Sequence, residues 1–305
     1  MSTPNKSIPQ LKVSKIQLTD LSGKAMQLRG ISTLGFRYPE YFTKESFETF
    51  KKEWGADTIR LAMYTDEPGG YCTDGNKEYL KELMIKGADI ATELGMYAII
   101  DWHILFDKNP MVYKSEAIDF FKEMSLRYKD HTNIIYEICN EPQESPFNEV
   151  IRPYAEEIIG IIRENDKDAV IIVGTNNWSQ DVDEVVGNKC SDENVMYALH
   201  FYATTHKEDL RNKAIKAMNG GVPVFISECS ICDASGNGEI DYEEAQRWID
   251  FANENKLSYM VWNLSNKDES SALIRPEVKT LSHWKQEELS DTGKWFKKVM
   301  QESRM

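Results

Sequence analysis

Eight apolar runs recur along the chain, at 28–33, 57–63, 96–102, 134–139, 169–174, 194–201, 222–227 and 257–264, and a segment of helical spacing follows each. Runs of this length suit strands covered on both faces, the usual condition in a parallel sheet. The stretch 79–94 shows the intervening pattern. Leu80, Leu83, Met84, Gly87, Ile90, Ala91 and Leu94 share one face at i, i+3, i+4 spacing, and Gly95 follows as a stop. The last such helix falls at 291–302. Strands alternating with helices pair in parallel through right-handed crossovers. Eight units in 305 residues favour a closed barrel over an open doubly wound sheet. No glycine-rich phosphate loop follows the first strand, which counts against a dinucleotide-binding fold. The fold class expected is α/β, a single-domain (β/α)8 TIM barrel. Residues 11–33 read as β around a Leu21-Ser-Gly-Lys24 turn, giving a short N-terminal β-hairpin. Residues 1–10 are read as a lead and 11–305 as the catalytic barrel domain.

The C-terminal ends of barrel strands form the active face. Here the second strand ends in Arg60 to Tyr64 and the third in Asp101-Trp-His103. The fourth ends in Asn140-Glu141-Pro142, where the proline prevents orderly continuation. His200-Phe-Tyr202, Ser227-Glu228 and Trp262-Asn263 end the sixth, seventh and eighth. Glu141 and Glu228 therefore stand nearly opposite in strand order, and their carboxylates can converge across the barrel mouth. Two converging carboxylates perform glycoside hydrolysis, one protonating the leaving oxygen and the other attacking or activating water. Arg60 is suited to hold one of them ionised, while like-charge proximity raises the pKa of the other. Histidines and an asparagine can bond sugar hydroxyls, and Trp262 and Trp178 offer flat apolar faces to pyranose rings.

Other readings of the same residues are plainer. Glu137 shares the parity of Glu141 and is read as a buried partner of Arg60. His131 and His283 lie in helix-end or loop contexts and are read as bystanders, Trp102 as packing, and Met63, Met84 and Met96 as core. A non-catalytic glycan-binding barrel has no need of both glutamates. A metal-dependent barrel hydrolase needs more clustered histidines than His103 and His200. No metal and no cofactor is expected.

Composition narrows the partners. Hydrophobic residues at 41% and aromatics at 11% describe globular material. A net charge of −14 opposes binding to nucleic acid, which needs clustered cations. No apolar run reaches the roughly 18 residues of a membrane span. The stretch 1–10 lacks the apolar core of a secretory signal. The five cysteines are scattered and odd in number, so no disulfide framework is expected. Cys229-x-x-Cys232 has neither a second pair nor a well-spaced histidine, and is read as buried or loop thiols.

At these residues the chain resembles family 5 glycoside hydrolases, retaining (β/α)8 enzymes of clan A, and most closely bacterial endo-β-1,4-glucanases. The resemblance runs from about Val13 to Phe296. It is carried by Ile135-Tyr-Glu-Ile-Cys-Asn-Glu-Pro142, Ile100-Asp-Trp-His103, His200-Phe-Tyr-Ala203, Phe225-Ile-Ser-Glu228 and Trp262-Asn-Leu-Ser-Asn-Lys-Asp-Glu-Ser270. The resemblance implies that Glu141 is the general acid/base and Glu228 the nucleophile. It implies that Arg60 and Tyr202 orient Glu228, that Asn140 holds a sugar 2-hydroxyl, and that His103 and His200 line the site. Trp262, Lys267 and Glu269 would grip glucose units on the non-reducing side, with Trp178 and His206 on the leaving-group side, and Tyr64 is a further contact. Gly30-Ile-Ser-Thr-Leu-Gly-Phe-Arg-Tyr38 departs from the pattern, with Leu34 and Tyr38 where relatives carry His and Trp. Cys229-Ser230 likewise replaces a common Trp-Gly. Both departures bear on substrate range.

The expected activity is endo-β-1,4-glucanase, with β-mannanase or mixed-linkage glucanase as the alternative. The expected partner is a β-glucan, the expected state a monomer, and the expected location extracellular, since the polymer lies outside cells. The loop Asp233-Ala-Ser-Gly-Asn-Gly-Glu-Ile-Asp-Tyr-Glu-Glu244 matches the EF-hand calcium pattern, but a strand precedes it where that motif needs a helix. The reading favoured is a turn followed by a helix start, with Asp241 as N-cap and Glu244 at N3, and adventitious calcium as the alternative.

Overall fold

Parity along each strand decides which side chains enter the barrel and which face the helices. The computed structural model describes Thr3 and residues 8–302. A hairpin comes first, β1 (Leu11–Ser14) paired antiparallel with β2 (Gln17–Asp20). Its turn is at Lys15, left-handed at φ 56°. The turn expected at 21–24 is a second one, beyond β2, with Gly23 at φ 85° and Asp20 N donating to Lys24 O. Among the described residues, eight parallel strands then close into a barrel: β3 (Arg29–Thr33), β4 (Thr58–Tyr64), β5 (Tyr97–His103), β6 (Ile134–Glu137), β7 (Ile171–Val173), β8 (Val195–Tyr202), β9 (Val224–Ser230) and β10 (Tyr259–Leu264). They pair in chain order, and β10 returns to β3.

The connections run through α1 (Lys44–Thr49), α2 (Lys77–Leu94), α3 (Lys114–Tyr128), α4 (Arg152–Asn165), α5 (Asn176–Ser179), α6 (Glu208–Asn219), α7 (Tyr242–Glu254) and α8 (Asp291–Glu302). Helix α2 starts where the Asn76 side chain accepts from Tyr79 N and stops at left-handed Gly95. Gly87 lets it approach the sheet, because a Cβ there would meet Leu61 Cδ2 at 2.5 Å. Helix α5 differs from its neighbours. It is a single turn in which Asn177 and Trp178 take left-handed angles.

Inside the barrel the lower layers are apolar. Tyr97, Ile99, Ile135, Ile172, Phe225 and Met260 fill them, and Ile8, Leu11, Val13 and Leu18 of the N-terminal segment close the bottom. Met63, Met84, Met96 and Trp102 pack between strands and helices as expected, Trp102 against Tyr71 and Phe120. His131 is buried beside Tyr128, and exposed His283 bonds Glu53, so neither reaches the barrel mouth. Continuing each inward series upward turns the interior polar. Arg60 follows on β4, Asp101 and His103 on β5, Glu137 on β6, and His200 and Tyr202 on β8.

Strand β9 breaks this rule in a consequential way. Ala198 pairs with Phe225 but His200 pairs with Glu228, so β9 carries one extra residue across that interval. This is a β-bulge, and it reverses parity beyond itself. Strict alternation from Phe225 would turn Glu228 outward. The bulge instead brings Ser227 and Glu228 both inward and sends Cys229 into the outer core.

Candidate active site

Arg60 stands at the centre of the polar layer and is fully buried. An isolated guanidinium there would be costly, and it is tolerated only because its N–H groups are matched. Nε donates to Glu137 Oε2 at 2.7 Å, and Nη1 donates to Glu228 Oε2 at 2.9 Å and Ser32 Oγ at 3.3 Å. Nη2 donates to Asn140 Oδ1 at 2.6 Å and lies 3.0 Å from Asp101 Oδ2. Three buried carboxylates thus share one guanidinium. Asp101 also takes His103 Nδ1 at 2.6 Å. Burial, and next the Arg60 charge, push the His103 pKa down to about 3, so this imidazole is neutral. It presents Nε2 towards the Asn140 amide at 3.3 Å and stacks on Trp262 with ring centroids 5.3 Å apart.

The two glutamates at the strand ends meet above this layer. One side-chain oxygen of each, together with a His200 ring nitrogen, lie within 4.8 Å of one another. Glu228 accepts from the Tyr202 hydroxyl at 2.7 Å as well as from Arg60. Burial would raise its pKa, but the His200 and Arg60 charges and the Tyr202 bond outweigh burial and hold it below the ordinary carboxylate value. Glu141 is bonded to His200 Nδ1 at 2.9 Å. For Glu141 burial dominates and the neighbouring Glu228 charge adds to it, so its pKa is raised despite the histidine. The environments have pushed two chemically alike groups apart, one towards the ionised form and the other towards the protonated form. His200 is raised to about 9, burial being overcome by Glu137 and Glu141.

These groups open into a cavity of about 660 Å³. Glu141, Glu228, His103, His200, Tyr202 and Tyr64 lie at its floor and walls. Strand β10 brings Trp262 and the loop after it Lys267 and Glu269, which are ion-paired, and the segments after β7 and β8 bring Trp178 and His206. Arg60 and Asn140 lie beneath it, both fully buried. The Asn140 amide already donates to Ile104 O at 3.1 Å. Sequence reading missed Asp101 as a partner, although its parity with His103 was visible. It also missed Leu105, Asn177, Gln180, Thr205 and Ser235, which line the cavity from loops after β5, β7, β8 and β9. Such loops carry no motif of their own; only their place after a strand end marks them.

The donor set of Glu141, His200 and Glu228 could ligate a metal. Both His200 nitrogens are already engaged, however, Nδ1 with Glu141 and Nε2 with Ser227 Oγ at 2.9 Å. The arrangement serves proton chemistry. The 233–244 loop is likewise committed elsewhere, because Asp241 caps α7 by accepting from Glu244 N at 3.0 Å. Cys229 and Cys232 are buried free thiols.

A sequence model of the family described as cellulase, glycosyl hydrolase family 5, matches residues 19–268. The chain belongs to glycoside hydrolase family 5. Among this hydrolase's relatives, endoglucanase A of Butyrivibrio fibrisolvens is 44% identical over 94% of the chain, and endoglucanase A of Evansella cellulosilytica is 44% identical over 92%. The family 5 chain spans 67% and 57% of those relatives' own lengths. The catalytic domain of a Thermobifida fusca endoglucanase, solved in complex with cellotetraose, superposes with a TM-score of 0.92 at 35% identity, covering 98% of this chain and 100% of that one. The catalytic domain of alkaline cellulase K superposes with a TM-score of 0.90 at 30% identity, covering 99% of this chain and 96% of that one.

Proposed function

We propose that the chain is an endo-β-1,4-glucanase that cleaves internal bonds of cellulose-like polymers with retention of anomeric configuration. The observation that carries this reading is that one carboxylate oxygen of Glu141 and one of Glu228 lie within 4.8 Å of each other. A retaining pair stands about 5 Å apart, whereas an inverting pair leaves room for a water at roughly 6.5–9.5 Å. Endoglucanases among the relatives, at 44% identity, support the substrate.

Glu228 attacks the anomeric carbon as Glu141 protonates the departing oxygen, leaving a glycosyl ester on Glu228. Forming the ester removes the Glu228 charge that helps raise the Glu141 pKa. Glu141, now ionised, takes a proton from water, which attacks the anomeric carbon and releases Glu228. Arg60 and Tyr202 hold Glu228 for attack, and Asn140 and His103 brace the floor. Asn140 meets the sugar 2-hydroxyl by giving up its bond to Ile104 O. Trp262, Lys267 and Glu269 grip sugars on the non-reducing side, Trp178 and His206 serve the leaving-group side, and Tyr64 and His200 complete the walls. The enzyme needs no cofactor or metal and works outside the cell as a monomer. The 11–305 segment is its catalytic domain.

A mixed-linkage glucanase or mannanase is the second reading, and Leu34 favours it. This side chain lines the cavity against Trp262 and Tyr202, an apolar wall that rewards no particular hydroxyl. Rates on carboxymethylcellulose, lichenan and glucomannan measured side by side decide between them, with the first expected to be a good substrate. Proton NMR of a cello-oligosaccharide digest is expected to show the β-anomer first; an initial α-anomer rules out the double displacement.

A further inference from the structure

Residues 177–179 are left-handed in succession, at φ 55°, 57° and 57°, and none is glycine. Such a run is unfavourable for side chains with a Cβ and persists only where its surroundings impose it. What imposes it here is the segment that carries Glu141. Ser179 is fully buried, and its hydroxyl donates to Asn140 O at 2.7 Å while accepting from Thr175 N at 3.1 Å. Trp178 N donates to Pro142 O at 3.0 Å, and Ser145 N donates to Asn176 Oδ1 at 2.9 Å. Gly174 lies so close that a Cβ there would meet Cys139 O at 2.0 Å and Asn140 O at 2.9 Å. The backbone bonds of Asn140 and Glu141 to the neighbouring strand end are longer, at 3.2 Å to Trp102 O and 3.3 Å to Ile104 O. The Ser179 hydroxyl is the tighter anchor. The turn it holds exposes Trp178, 44% accessible, at the cavity wall.

We infer that Ser179 is a positioning residue that fixes the Trp178 platform and the Glu141 proton donor in one frame, so that the leaving sugar is presented to the acid at the right place. The inference rests on the reading of Glu141 as acid/base. Within its own turn this hydroxyl only accepts, from Thr175 N; its proton goes to a carbonyl adjacent to the acid. Positioning of the acid matters most when the leaving group is basic and least when it departs unaided.

The test compares kcat/KM for cellotetraose with kcat/KM for 2,4-dinitrophenyl β-cellobioside, in the parent, Ser179→Ala and Ser179→Gly. Active enzyme is counted by trapping with a 2-fluoro cellobioside bearing the same leaving group. Ser179→Ala is expected to lose roughly tenfold or more on cellotetraose, in keeping with the steep cost of misplacing a reacting group, and less than about twofold on the activated substrate. Ser179→Gly, which relieves the left-handed backbone but also lacks the hydroxyl, is expected to show the same selective loss on cellotetraose. Equal losses on both substrates, or no loss on either, overturn the inference. Glu141→Gln run alongside separates the two claims. It should show the same leaving-group dependence more strongly, and its failure to do so would remove the acid/base reading itself.

Discussion

His200 controls both glutamates through one charge. Its ring lies against Glu137, Glu141 and Ser227, with Glu137 Oε1 3.9 Å from Nε2. With its pKa raised to about 9, it is a cation across the neutral range and lowers the pKa of Glu141 and of Glu228 alike. The signs for activity follow. With the roles proposed above, turnover is expected to fall on the acid side as pH drops through the depressed Glu228 pKa, and on the alkaline side as pH rises through the elevated Glu141 pKa. Replacing the cation by a neutral amide, His200→Gln, lets both values rise. Both limbs of the kcat/KM profile should then move to higher pH, with the maximum reduced by less than the roughly 10²–10⁴-fold that an acid–base group itself contributes. Unmoved limbs would mean that the imidazole is neutral in the working enzyme.

At the scale of elements, the 233–244 loop shows how a good pattern can be used for something else. Asp233 accepts from Ser235 N and from the Thr205 hydroxyl, and Asn237 Oδ1 accepts from Ser270. Asp241 caps α7 and pairs with Lys207, while Glu244 pairs with Arg211 and Arg247. A calcium ion would have to break these bonds, and the loop follows β9 instead of the helix an EF-hand requires. Treatment with EDTA is therefore expected to leave the Tm unchanged; a fall reversed by added calcium would sink this account. Strand existence was legible in the sequence because burial on both faces forces continuous apolar runs, and polar residues ending those runs come together at one cavity. What was not legible depends on contacts between segments. Neither the bulge that turns Glu228 inward nor the left-handed run at 177–179 leaves a local mark, since no glycine signals either. The partners of Arg60 on β5 and β6 were only half legible: parity pointed to Glu137 as a partner, but it put Asp101 inside the barrel without naming what it would bond.

For the molecule as a whole, the barrel has two ends with different tasks, and the N-terminal hairpin belongs to the structural one. Leu11, Val13 and Leu18, with Ile8, sit under Tyr97, Ile135 and Met260. Val13 N donates to Asn194 Oδ1 at 2.7 Å, and the Tyr97 hydroxyl donates to Pro9 O at 2.8 Å. Residues 8–10 of the expected lead are therefore joined to the floor; the other lead residues, Thr3 apart, lie outside the described ones. Fully burying an aliphatic side chain contributes about 1.5–3 kcal/mol, an upper figure because unfolded chains already hide some surface. Losing several at once is comparable to the roughly 5–15 kcal/mol that separates folded from unfolded domains. A chain lacking residues 1–20 is expected to show a markedly lower Tm. At a temperature where it stays folded, both limbs of its pH profile should sit where the parent's do, because the network of Arg60, His200 and the glutamates lies at the opposite end. An unchanged Tm would make the hairpin an appendage; a displaced pH profile would show that the floor of the barrel reaches its mouth.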